Sequence, residues 1–137
     1  MLLLIDAGNT RVKWALVAHA MPAASAHVPL GQWHAAGSIT HDGVPELAKA
    51  WRAMPIARVL IANVAGAAVR AALESVLAKV LKIDTPVEWF VSSAERGGLQ
   101  NHYAQPAQLG CDRFAAAIGA RALHPACNLI VATCGTA

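Results

Sequence analysis

The order in which short aliphatic runs alternate with helical repeats constrains this chain more than any other feature. Leu2 to Ile5 is wholly apolar, Arg58 to Val64 is largely aliphatic, and Val87 to Val91 and Asn128 to Thr133 are further short apolar runs. Runs of that length and content suit strands covered on both faces. From Ala67 to Val80, the residues Val69, Leu73, Val76, Leu77 and Val80 recur at helical spacing and make one apolar stripe. Leu109 to Leu123 predicts a second long helix, and Val44 to Ala53 a short one with Pro45 in its first turn. Near the start, Val12 to Val17 reads as the return strand of a hairpin. A loop with Pro22 and Pro29 follows, then a third strand around Gln32 to Ile39. Gly97-Gly98 and Pro106 mark an irregular connection before the last helix. The expected order is therefore three strands, helix, strand, helix, strand, helix, strand, which gives a mixed α/β sheet with helices on its faces.

That order is also the order of one lobe of the ribonuclease H-like fold. On this reading residues 1–125 form the lobe, and residues 126–137 supply the first strand and turn of a second lobe that is otherwise absent from the chain.

Composition narrows the function classes. Of the 137 residues, 56% are hydrophobic and 14% charged, so the chain is a globular domain with enough length to bury a core. The net charge of +3 comes from scattered Lys and Arg with no basic run, which calls for no nucleic-acid partner. Three cysteines, Cys111, Cys127 and Cys134, form neither a CxxC nor an even-numbered framework, and with six dispersed histidines they give no zinc spacing. The expected compartment is a reducing cytoplasm. Met1 to Ile5 lacks a basic flank and meets Asp6 too soon for a signal sequence or a membrane span.

Three short motifs carry the chemistry. Asp6-Ala7-Gly8-Asn9-Thr10 lies between the first two strands, as a turn in which Gly and Asn can take positive φ. Successive backbone N–H groups in such a turn form an anion-binding nest. Thr10 adds a hydroxyl, Arg11 or Lys13 positive charge for phosphoryl oxygens, and Asp6 a carboxylate for Mg²⁺ held through water. An unliganded hairpin turn uses the same residues. Gly110-Cys111-Asp112-Arg113 opens the last helix. There Asp112 is either an ordinary residue of a helix N-terminus or a general base for an alcohol, with Arg113 pairing with a substrate oxygen. Phosphoryl transfer asks such a base mainly to orient the hydroxyl, so the pKa-lowering helix terminus is compatible with the role. Gly135-Thr136-Ala137 follows the last expected strand as a further phosphate-binding turn. No GxxxxGK[ST] or GxGxxG is present, which removes the P-loop and dinucleotide-fold signatures.

Taken in order, DxGNT[RS], GxDR and GTA resemble the signature of type III pantothenate kinases, and Val12-Lys13-Trp14, Tyr103 and Asp112-Arg113-Phe114-Ala115 are similar to its proteobacterial branch, which includes the Bvg accessory factors. The resemblance covers the whole chain but about half of a full-length member. It implies the actin, acetate and sugar kinase and heat-shock protein 70 fold, ATP-dependent phosphorylation of pantothenate, and a cytoplasmic homodimer with no membrane partner. By position it implies ATP and Mg²⁺ contacts from Asp6, Ala7, Gly8, Asn9, Thr10, Arg11, Val12, Lys13, Gly135 and Thr136. It implies pantothenate contacts from Tyr103, Gly110, Cys111, Asp112 and Arg113, with Asp112 as base. K⁺ or NH₄⁺ is a further cofactor of many members, held by an Asp where this chain has Thr133, so the carboxylate of that site is missing here. An actin-fold kinase for another small alcohol, and a regulatory or dimerisation module, are the alternative readings. His102 reads as solvated, His124 and Cys127 as non-ligating, and Trp14, Trp33, Trp51 and Trp89 as core or interface anchors.

Overall fold

The computed structural model of the chain describes residues 1–18 and 33–133. A five-stranded sheet is built from β1 (Leu2–Ala7), β2 (Arg11–Val17), β3 (Ala35–Thr40), β4 (Arg58–Asn63) and β5 (Val87–Phe90), in the order β3-β2-β1-β4-β5. β1 is antiparallel to β2 and parallel to β4, β2 is antiparallel to β3, and β4 is parallel to β5. The mixed sheet expected from the sequence is thus the sheet observed.

The register sorts side chains onto two faces, because alternate residues of a strand point to opposite sides. Leu3 and Ile5 of β1 stand beside Val59 and Ile61 of β4 on one face. That face is covered by α1 (Leu47–Trp51), entered through a 3₁₀ turn at Val44–Glu46, and by α2 (Ala67–Val80). Leu47, Trp51, Val69, Leu73, Val76 and Leu77 complete the main core with them. Four of the five stripe positions of α2 are buried, and Val80 packs against the same core half-buried. Trp51 is wholly buried and meets Trp14 edge-on, with centroids 6.0 Å apart and planes at 85°, a geometry that adds about 0.5–1.5 kcal/mol beyond area burial. Asn63 ends β4 and starts α2: its Oδ1 accepts from Ala65 N–H at 2.9 Å and its Nδ2 donates to the Gly66 carbonyl at 3.1 Å.

The second face carries Leu4 and Asp6 of β1 with Leu60 and Ala62 of β4, and it is only partly covered by α3 (Cys111–Leu123). Phe114 holds α3 there, 2% exposed and stacked at a tilt on Phe90 of β5 with centroids 6.1 Å apart. A two-stranded ribbon, β6 (Glu95–Arg96) and β7 (Leu99–Gln100), leads into α3. Its turn uses Gly97 and Gly98 at φ 60° and 76°, and a Cβ on Gly97 would stand 2.6 Å from Ile118 of α3. Arg96 ties this ribbon to β5 by pairing with Glu88, which also accepts from Arg58 at 2.7 Å.

Four expectations shift. The short helix is a 3₁₀ turn followed by α1 and ends at Trp51. The last helix begins at Cys111, after a separate 3₁₀ turn at Pro106–Gln108, because proline sits in that turn's first position. Gly8 and Asn9 do not use positive φ, which among described residues occurs only at Gly66, Gly97 and Gly98. Finally, 128–133 forms no strand. Ile130 is 98% exposed, and no described strand lies beside the segment to complete a hydrogen-bonded ladder. The loop with Pro22 and Pro29, the start of the third strand at Gln32, and the turn at Gly135-Thr136-Ala137 lie outside the described residues.

Candidate functional site

The hairpin between β1 and β2 sets the first part of the site. Asp6 and Lys13 are cross-strand partners, Ala7 and Val12 pair next, and Gly8 N–H donates to the Arg11 carbonyl at 3.0 Å to close the turn. Asp6 and Lys13 therefore project from the same face, the one only partly covered by α3. Their charged atoms are 4.0 Å apart and both are well exposed, so the pair itself adds at most about 1 kcal/mol. Arg11 is engaged elsewhere: its Nε donates to Ser38 Oγ at 2.7 Å and its Nη2 to the Ser38 carbonyl at 3.4 Å. Among the described residues lining the cleft, Lys13 is the cation. Ala7 and Val12 point the other way, fully buried in the core, so only their backbone is available to a ligand. A Cβ at Gly8 would make only an ordinary 3.5 Å contact with the Arg11 carbonyl. The chain's own packing thus does not require glycine there, whereas close approach of a phosphate to the backbone does.

The second part comes from the N-terminus of α3. Gly110 is the N-cap, and Asp112 lies in the first turn, where free N–H groups and the helix dipole favour a carboxylate. The carboxylate folds back over the cap: a Cβ on residue 110 would stand 2.6 Å from Asp112 Oδ1. Glycine in GxDR is accounted for by that approach. Cys111 Sγ contacts the Asn63 carbonyl at 3.6 Å, which seats the start of α3 on the end of β4. The thiol serves here as a structural contact.

These parts meet in one cleft of about 1010 Å³, bounded by the open sheet face and α3. Asp6, Lys13, Ser38, Asp112 and Thr133 are its polar lining; Leu4, Trp14, Trp33, Leu60 and Phe90 are among its apolar walls. Burial raises the Asp6 carboxyl above its ordinary value of 3.8, Lys13 opposes that shift, and the negative charge of Asp112 adds to it. The two carboxylates thus sense each other across the cleft. A half-buried carboxylate whose charged form is disfavoured by desolvation and by a second anion is a group that a cation would relieve. The donor set fits Mg²⁺ held by one or two carboxylates with waters and phosphates completing its shell. Among the described residues no three His, Cys, Asp or Glu side chains cluster as a metal cage, and no helix is long and apolar enough to cross a membrane.

Other predicted residues are placed differently. Tyr103 is 51% exposed and lies outside the cleft lining, its backbone N–H held by Asn101 Oδ1 at 3.1 Å. Arg113 is exposed and also outside it. Asn9 and Thr10 are exposed at the turn, Thr133 lines the cleft, and Gly135 and Thr136 lie outside the described residues. Of the tryptophans, Trp51 is core, Trp14 and Trp89 pack against it partly buried, and Trp33 is half exposed at the cleft. Sequence reasoning missed the β3 wall of Ala36, Gly37 and Ser38, and it missed His41, whose Nε2 lies 2.9 Å from the Gly8 carbonyl. Only the β2–β3 register, which sets Lys13 against Ser38, places that wall beside the hairpin.

A family model described as type III pantothenate kinase matches residues 2–137. The chain belongs to the type III pantothenate kinase family. Proteins named type III pantothenate kinase from Herminiimonas arsenicoxydans and Janthinobacterium sp. (strain Marseille) are 52% and 50% identical to it. Each match covers 100% of this chain and, respectively, 51% and 52% of the relative. A third, from Aromatoleum aromaticum, is 44% identical over 100% of this chain and 51% of the relative. The chain spans about half the length of these curated relatives. Its five-stranded mixed sheet with flanking helices is a lobe of the family's actin-like fold.

Proposed function

We propose that this chain forms one wall of a site that transfers the γ-phosphoryl group of ATP to the primary hydroxyl of pantothenate, the first step of coenzyme A synthesis. The observation that supports it most is the convergence of Asp6, Lys13 and Asp112, from a strand, its hairpin partner and a helix terminus, on one cleft. Residues 1–125 then act as the first lobe, and 126–137 lead into a second that completes the nucleotide site with Gly135 and Thr136. The exposed, unpaired state of 128–133 agrees with a strand whose partners belong to that second lobe. The protein works as a cytoplasmic homodimer.

In this reading the Asn9 N–H and the Thr10 hydroxyl face the phosphates, Lys13 balances charge on the transferring oxygens, and Asp6 would hold Mg²⁺ through water. Bound there, Mg²⁺ supplies neutralisation of the phosphate charge. Gly110 to Arg113 and Tyr103 bind pantothenate, with Tyr103 reaching it from outside the cleft lining. Asp112 accepts a hydrogen bond from the pantothenate hydroxyl and aligns its oxygen with the γ-phosphorus. As the new O–P bond forms, the bond from that phosphorus to the β,γ-bridging oxygen breaks and ADP leaves. The hydroxyl proton passes to the Asp112 carboxylate and from there to water. Because the transition state is loose, positioning is the larger part of this work. Thr133 brings a neutral oxygen to the position where many members of the family carry the cation-holding Asp, so a K⁺ or NH₄⁺ site lacks its carboxylate here.

The test is product formation by a form extended to the relatives' length, given Mg-ATP and pantothenate with Na⁺, K⁺ or NH₄⁺. Mass spectrometry of the product is expected to show phosphopantothenate accumulating in step with ADP. If only another small alcohol is phosphorylated, the pantothenate assignment fails. If the folded form phosphorylates nothing, a regulatory or dimerisation role replaces the kinase reading.

A further inference from the structure

Side-chain ties join β3 and the turn after it to the β1–β2 hairpin at Arg11 and at Gly8, and the tie at Gly8 meets the backbone of the turn proposed to hold phosphate. Arg11 bonds Ser38, and His41 Nε2 lies 2.9 Å from the Gly8 carbonyl, 33 residues away in sequence and partly buried. A carbonyl can only accept, so Nε2 must carry the proton, in either the neutral Nε2–H tautomer or the imidazolium. The backbone of His41 is itself held. Gly43 N–H donates to the Thr40 carbonyl at 3.1 Å, Val44 N–H donates to the His41 carbonyl at 3.3 Å, and Val44 is fully buried. The Asp42 carboxylate accepts from the Thr40 hydroxyl within the same turn. The imidazole is therefore a donor mounted on a fixed support.

The consequence follows from peptide geometry. The Gly8–Asn9 peptide is planar and trans, so its C=O and N–H point in opposite directions. Fixing the Gly8 carbonyl toward His41 fixes the Asn9 N–H away from it. We infer that His41 is a positioning residue that sets the orientation of the Gly8–Asn9 peptide and so pre-forms the anion-binding turn for a nucleotide phosphate. His41 lines no part of the cleft, so it acts through the turn and touches no reacting group. The inference rests on the phosphate role proposed for that turn. Its predicted signature is selective: ATP recognition weakens, while pantothenate recognition at α3 does not. A Gln at 41 retains an N–H donor and an Ala does not.

The experiment compares wild type, His41→Ala and His41→Gln in the form extended to the relatives' length. The expected result is a KM for Mg-ATP raised about three- to tenfold in His41→Ala, the range that loss of one hydrogen bond sustains. KM for pantothenate stays within about twofold, on the scale of 1.4 kcal/mol per tenfold, and His41→Gln recovers most of the ATP effect. An unchanged KM for Mg-ATP in His41→Ala overturns the inference, as does an equal rise in both KM values with no recovery by Gln, which marks a merely structural residue. Amide exchange at Gly8, whose N–H closes the turn, is measured on the same three proteins. Faster exchange in His41→Ala, reversed by Gln, supports the tie even if wild type proves to lack kinase activity. In that case the function reading fails separately. Unchanged Gly8 exchange overturns the tie itself.

Discussion

Replacing Phe114 with alanine removes the one buried side chain with which α3 holds the sheet. The ring is 2% exposed and packs on Phe90 of β5, with 6.1 Å between centroids. The neighbouring Ala115, Ala117 and Ile118 are only half-buried. Phe→Ala in a packed site costs about 3–5 kcal/mol, from lost transfer energy plus the cavity left behind. The core between the sheet and α1/α2 is built from other residues, so the loss falls on the docking of α3 before it falls on the whole fold. At 1.4 kcal/mol per tenfold, the opening constant of α3 rises by about two to three and a half orders of magnitude. Hydrogen exchange read by mass spectrometry is the assay. Peptides from 111–123 are expected to lose protection on that scale, while those covering β1, β4 and α2 change far less. Phe114→Leu, which keeps most of the volume, is expected to lose less than about 1.5 kcal/mol. Loss of less than about tenfold in α3, or equal loss in β1 and α2, would refute the claim that α3 is a separately docked element hinged on one side chain; tenfold is the 1.4 kcal/mol step.

Further outcomes follow from the same geometry. Gly110→Ala places a Cβ against Asp112 Oδ1; because a side-chain tip can swing aside, we expect stability within about 1 kcal/mol of wild type but loss of turnover through a displaced carboxylate. Unchanged kcat with unchanged stability would show that Asp112 need not lie over the cap. Asp6→Asn tests the raised carboxyl. A folded-state pKa above the unfolded one stabilises fully below the unfolded value, and that contribution is lost as pH rises through the folded value. The variant should therefore melt higher than wild type at pH 7, with the gap closing toward pH 3, and a lower melting temperature at pH 7 would contradict the burial argument. Asp42 behaves oppositely. The Thr40 hydroxyl, ahead of the local backbone N–H groups, holds its carboxyl below 3.8, so its contribution is present above that value and lost as pH falls through the folded one. Asp42→Asn should flatten the acid limb of a pH-stability curve; an unaltered limb would rule that tie out.

The sheet was legible because its strands are short apolar runs whose alternation or continuity is written locally, and α2 because its stripe has a clean helical period. The boundaries at α1 and α3 were less legible, since proline starts a 3₁₀ turn as readily as an α-helix and the two differ by one hydrogen-bond step. Asn128–Thr133 has a strand's composition and yet is not one, since a strand needs a neighbour and composition cannot supply it. Asp6, Lys13 and Asp112 were legible as a motif set, but their convergence was not, as it depends on α3 crossing the open face of the sheet. The roles of Arg11 and His41 were hidden for the same reason. Both reach across the β2–β3 pairing, and nothing in the local sequence marks a contact that spans 27 or 33 residues.

The central claim is that Asp112, held over the N-terminus of α3, acts on the acceptor hydroxyl opposite Asp6. It is tested most directly by kcat of the extended form and its Asp112→Asn variant, at saturating Mg-ATP and pantothenate, by enzyme-linked ADP release. The account predicts a fall of about 10²–10⁴-fold with little change in KM for Mg-ATP. A variant that retains wild-type kcat would contradict it and return Asp112 to the role of a helix-terminal carboxylate.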